Sequence, residues 1–126
     1  MGQGETRSYV IQAHSTETFG RVRCSARDHH FLVDGPVQNG CPGEEITPAE
    51  IFLAGVAACG VELLQVLGKE QQVPVQEIAV AITGTIDRSK PVRSDVTLFN
   101  TVRIEFDIAG ISEEQANELV DRFKRR

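Results

Sequence analysis

Cys59 is the side chain in this 126-residue sequence best suited to covalent chemistry. It lies in the stretch TPAEIFLAGVAACGVELL with small neighbours, Gly55 one turn before it and Ala57, Ala58 and Gly60 around it, which leaves space beside the sulfur. The thiolate is the reactive form, and a free thiol titrates near about 8.5, so reactivity requires a nearby cation or a helix N-terminus. Cys59 lies eleven residues beyond Pro48. That is about 16 Å along a helix, whereas the dipole acts mainly within the first turn. An arginine from elsewhere in the fold or from a partner must supply the charge. The competing reading is packing, because free cysteine is among the most buried residue types.

Two carboxylates share this apolar segment. Nine residues at about 100° each put Glu50 opposite Cys59 around a helix axis, so the two cannot touch within one helix. Glu50 can hold an arginine that reaches the sulfur, or it can simply cap the helix. Glu62, three residues after Cys59, shares its face. A carboxylate there raises a thiol pKa unless a cation intervenes, so Glu62 reads as a polar-edge or interface residue.

His14, His29 and His30 do not assemble a metal site by spacing. Adjacent His29 and His30 point to opposite faces of a strand. A zinc module built from His14, Cys24, Cys41 and one of that pair is a third reading, but it matches no recognised ligand pattern. No phosphate-binding loop or Ser-His-Asp signature is present either, and no metal or cofactor is expected.

Thirteen basic residues against eighteen acidic ones give a net charge of −5, which argues against a nucleic-acid partner. With 40 % apolar and 25 % charged residues the composition is that of a folded globular chain, and the length suits one domain over residues 1–126. There is no Trp and one Tyr, so the core must rest on Val, Ile, Leu and Ala. The three cysteines form no CxxC pair, which fits a reducing compartment. The opening MGQGETRSYVIQAHS has no signal-peptide core. The most apolar stretch carries Glu62, so a cytoplasmic protein with no membrane partner is expected.

The elements that must position these residues follow from periodicity. SYVIQA (8–13), FGRVRCSA (19–26) and HHFLVD (29–34) alternate as antiparallel strands. The glycine- and proline-rich GPVQNGCPGEEI is a surface loop or lid. Thr47, Pro48 and Glu50 then form a complete helix start, with Ile46 and Ile51 as a hydrophobic staple. Apolar residues from Ile51 to Leu67 occupy nearly every face, which predicts a centrally buried helix whose end is given by Gly68 and then Pro74. VQEIAVAITGTIDR (75–88) and VTLFNTVRIEFDIAG (96–110) form a strand pair. Ser112 and Gln115 open a closing helix whose apolar stripe is Ala116, Leu119, Val120 and Phe123. The order is β-β-β-α-β-β-α.

The string RDHHFLVDGPVQNGCPGEEITPAEIFLAGVAACGVELL resembles the OsmC/Ohr family, the osmotically inducible and organic hydroperoxide resistance proteins. A strand ending Asp-x-Pro, a Gly-containing loop, Pro-x-Glu opening a helix, and a Cys nine residues after that Glu carry the resemblance, which is to the Pro-x-Glu branch. It implies an α+β fold with antiparallel sheets wrapped around a central buried helix, in an intertwined homodimer with its sites at the subunit interface. It further implies that Cys59 is a peroxidatic cysteine reducing small hydrophobic hydroperoxides, that Glu50 orients an arginine, and that an external thiol or dithiol is the reductant. Arg21, Arg23 and Arg27 lie in the region of the family's catalytic arginine, and Arg27 is the expected one. The family's C-terminal resolving cysteine has no counterpart here, which leaves Cys41, Cys24 or an external thiol. The alternative is a non-catalytic relative that holds a small hydrophobic ligand at the dimer interface.

Overall fold

The computed structural model describes residues 5–125. The first four residues, where the signal-peptide reading begins, and Arg126 lie outside the described residues. The chain divides into two compact units, Met1–Ile51 and Phe52–Arg126.

The first unit is an antiparallel sheet of β1 (Gln12–Ser15), β2 (Arg21–Ala26) and β3 (His29–Asp34), in that spatial order. The first strand is displaced from its expected place, since pairing begins only at Gln12, opposite Ser25. The reason is the hairpin. β2 runs out at Ala26, so Tyr9 and Val10 pass beyond its end, and Tyr9, Val10 and Ile11 stand 83 %, 72 % and 59 % exposed. β2 and β3 join through a two-residue turn in which Arg27 takes φ +55°, a left-handed conformation that disfavours a side chain. The loop after β3 contains a short 3₁₀ turn, Val37–Asn39, closed by Gly40.

α1 (Pro48–Glu70) starts as its residues predict: the Thr47 amide and hydroxyl donate to Glu50 Oε1 at 2.9 and 2.8 Å, and the Glu50 amide donates to Thr47 Oγ1 at 3.4 Å. Its end is a correction to the Gly68 expectation. Gly68 is buried inside the helix, where a Cβ would lie 3.1 Å from Val75 Cγ2, so close packing and not termination explains the glycine. The reversal comes at Gln72, with φ +56°, and the bonds Val73 N–H to Gly68 O and Gln72 N–H to Lys69 O make a Schellman-type end.

The second unit packs the C-terminal half of α1 and α2 (Glu113–Lys124) on the hairpin of β4 (Glu77–Thr85) and β5 (Thr101–Ala109). The hairpin partners Ile78 with Ile108, Val80 with Phe106 and Ile82 with Ile104, which places these apolar side chains on one face. Leu64, Leu67 and Leu119 form the buried centre, with Ile78, Phe106, Ile108 and Phe123 packed around them. Ser112 and Gln115 make the full capping box expected of α2.

α1 buries one stripe within a single chain, Gly60, Leu64, Leu67 and Gly68. Its other apolar faces stay open, with Phe52 60 % exposed. One hairpin and one helix can cover only part of a helix that is apolar all round. By length and hydropathy α1 is also capable of crossing a bilayer.

Candidate functional site

Within the first unit, β2 and β3 bring together a polar cluster that local sequence rules do not announce. The register sets Arg21 directly opposite Asp34. The guanidinium forks onto the carboxylate, Nε to Oδ1 at 2.8 Å and Nη2 to Oδ2 at 2.9 Å, and Nη2 also donates to Glu44 Oε1 at 2.8 Å. Asp34, 0 % exposed, further accepts the amides of Glu44 and Glu45 at 3.0 and 2.9 Å. A buried carboxylate with four donors is fully satisfied, as the low-dielectric interior requires. The Arg21 guanidinium, and then the two amides, hold the Asp34 carboxyl well below the usual carboxylate range despite its burial. Asp34 and Glu44 in turn hold Arg21 above the ordinary guanidinium value.

This clamp closes the base of the 35–46 loop. The Asp34 amide donates to Ile46 O at 3.0 Å, and Gly35 donates to Gly20 O at 2.8 Å. Cys41 packs against both glycines, where a Cβ on either would come within 2.5 Å of its Sγ. Gly20 is doubly required, because its φ of +82° is left-handed as well. Cys41 is therefore half-buried against backbone, and Cys24 is half-buried in β2.

Glu50 is tied to Thr47, whose amide and then hydroxyl lower its pKa below the usual value. Arg27 stands at the hairpin tip, and Arg23 projects from β2 beside His14. His29 and His30 are neighbours on β3, so they alternate between its faces. Among the described residues, no three His, Cys, Asp or Glu side chains gather as metal ligands.

In the second unit, Cys59 is exposed near the middle of α1. Phe52, seven residues earlier and therefore on nearly the same face, stacks on Phe99 with centroids 5.9 Å apart and planes at 25°. Gly84 admits this arrangement, since a Cβ there would meet Phe99 at 2.6 Å and Leu53 at 3.1 Å. Gly55 lies between Phe52 and Cys59, and a Cβ there would touch nothing within 4 Å. Glu62 is exposed one turn beyond the thiol. The result is an accessible sulfur on an apolar, sparsely covered helix face, chemically able to meet a small apolar electrophile.

Sequence reasoning named the thiol, the helix start and three candidate arginines but missed Asp34 and Glu44 as ion-pair partners. The two-residue turn at residues 27–28 carries the missing signal, because it alone sets the register that puts Arg21 against Asp34.

Comparison with known proteins agrees with this architecture. A family model described as OsmC-like protein matches residues 41–126, across the boundary between the two units. No curated protein sequence matches significantly. An OsmC-like protein from Mycoplasma pneumoniae superposes with a TM-score of 0.81 at 17 % identity, covering 97 % of this chain and 84 % of its own. An organic hydroperoxide resistance protein from Legionella pneumophila gives 0.73 at 18 % identity, over 93 % and 82 % of the two chains. A protein of the same description from Elizabethkingia anophelis, with thiocyanate bound, gives 0.74 at 17 % identity over 94 % and 82 %. These likenesses establish the α+β fold of two antiparallel sheets and a central helix. The family match extends over more than half of the sequence, and the chain therefore belongs to the OsmC-like protein family.

Proposed function

We propose that this protein takes part in oxidative-stress defence by reducing organic hydroperoxides through Cys59. The observation that carries this reading is the accessible thiol on the apolar face of α1, in a chain of the OsmC-like family. The hydroperoxide-resistance descriptions of the Legionella and Elizabethkingia proteins support it.

The chemistry balances with an external thiol or dithiol as reductant. The Cys59 thiolate attacks the distal oxygen of ROOH, the O–O bond breaks, and the leaving alkoxide takes a proton to become ROH. Sulfur loses two electrons and becomes the sulfenic acid. A reductant thiol displaces water to form a mixed disulfide, and a second thiol releases reduced Cys59 with formation of the reductant's disulfide.

A guanidinium of this chain or of a second copy is proposed to keep Cys59 ionised. Arg27 is the sequence-based candidate. Arg21 has the stronger support, because its guanidinium is oriented by Asp34 and Glu44 while Arg27 sits at a turn tip. Glu50 is proposed to orient that arginine in addition to capping α1. A homodimer is proposed to cover open apolar side chains, among them Tyr9, Val10, Ile11 and Phe19. Three free thiols suit the reducing cytoplasm.

The test is cumene hydroperoxide consumption with a dithiol reductant by wild type and Cys59→Ser. Loss of turnover in the variant is expected. Equal rates would overturn the peroxidatic role and favour binding of a small hydrophobic ligand at the same surface.

A further inference from the structure

The chemical class of hydroperoxide is written on the two ends of the helix face that carries Cys59. Upstream stand the stacked rings of Phe52 and Phe99, reached across the bare backbone of Gly55. Phe52 is about 10.5 Å from Cys59 along the axis and within about 20° of its direction. Downstream, Glu62 is exposed three residues beyond the thiol, so its Cβ lies about 5–6 Å from that of Cys59. Glu62 has no ion-pair or hydrogen-bond partner among the described residues. From Phe52 to Glu62 the helix carries no Lys or Arg, and its first basic residue is Lys69 in the last turn.

We infer that Glu62 makes this face selective for uncharged organic hydroperoxides over those bearing a carboxylate. The inference rests on the peroxidatic reading of Cys59. A substrate carboxylate directed downstream meets a like charge. Directed upstream, it must lose water against Phe52 and Phe99 with no cation on the stripe to compensate. An apolar substrate body meets neither cost: it lies over Gly55 against the ring pair while the peroxide oxygen reaches the sulfur. A like-charge encounter at 6–8 Å across a half-wet surface weakens binding roughly fivefold to tenfold.

The test uses a matched pair, cumene hydroperoxide and its para-carboxylate analogue, at low ionic strength with wild type, Glu62→Gln, Glu62→Lys and Cys59→Ser. The readout is the ratio of kcat/KM for the neutral substrate to that for the anionic one. Wild type is expected to favour the neutral peroxide by about tenfold, less as salt is added. The ratio is expected to fall about threefold or more in Glu62→Gln and to fall further in Glu62→Lys. A wild-type ratio near one, or a ratio unchanged in Glu62→Gln, overturns the selectivity while the Cys59 reading stands, provided Cys59→Ser has lost turnover. No Cys59-dependent turnover of either peroxide overturns both.

Discussion

Arg21 and Asp34 face each other across the last pair of the β2–β3 ladder, with the guanidinium forked onto a carboxylate that water does not reach. The same carboxylate collects the amides of Glu44 and Glu45, so one side chain anchors the sheet to the loop leading into α1. Removing Arg21 strands the buried Asp34 charge, which is the costly way to break such a pair.

Acid should therefore unfold the first unit through Asp34. Its native pKa is depressed, so the stabilisation is complete above the unfolded value of about 3.9 and is lost as pH falls through the lower native value. Glu50 and Asp87, also depressed, act in the same direction. Asp34→Asn is expected to lower the Tm at pH 7 and to flatten the loss of stability between about pH 4 and pH 2. Thermal unfolding of both proteins across that range checks it. A variant whose acid limb parallels wild type would show that Asp34 does not govern it.

Arg27 offers a test of turn against activation. An L-residue in the left-handed region costs about 1–2 kcal/mol, which glycine avoids. Arg27→Gly is expected to gain about 1 kcal/mol by urea denaturation while Cys59-dependent peroxide turnover remains. Turnover lost in that variant would make Arg27 the activating guanidinium in place of Arg21.

Glu50→Gln separates capping from catalysis. Gln can still accept from the Thr47 amide and hydroxyl, as Gln115 does from Ser112, so helix content and stability should hold. If Glu50 orients the arginine by its charge, as proposed, kcat/KM for cumene hydroperoxide should fall while the Tm stays near wild type. Unchanged kcat/KM would confine Glu50 to the cap.

Leu64 lies at the meeting point of α1, α2 and the β4–β5 hairpin and is 0 % exposed. Leu64→Ala should cost about 2–5 kcal/mol, the range for a buried leucine whose site cannot fully collapse. Guanidinium unfolding would measure it, and a loss below about 1 kcal/mol would mean that the core closes around the cavity.

Local chemistry accounts for what was legible in the sequence alone. Thr47, Pro48 and Glu50 specify a helix start within four residues, and Ser112 with Gln115 specifies another, because capping bonds join atoms close in the chain. Alternation in β4 and β5 likewise follows from which side chains share a strand face. Tertiary structure decided the rest. Gly68 reads as a stop signal until Val75 is seen packed on it, and the true reversal at Gln72 has no glycine to mark it. Arg21 and Asp34 stand thirteen residues apart and meet only through the hairpin register. Which faces of α1 are covered depends on how much apolar surface the hairpin and α2 present, a sum over distant residues that no local pattern encodes.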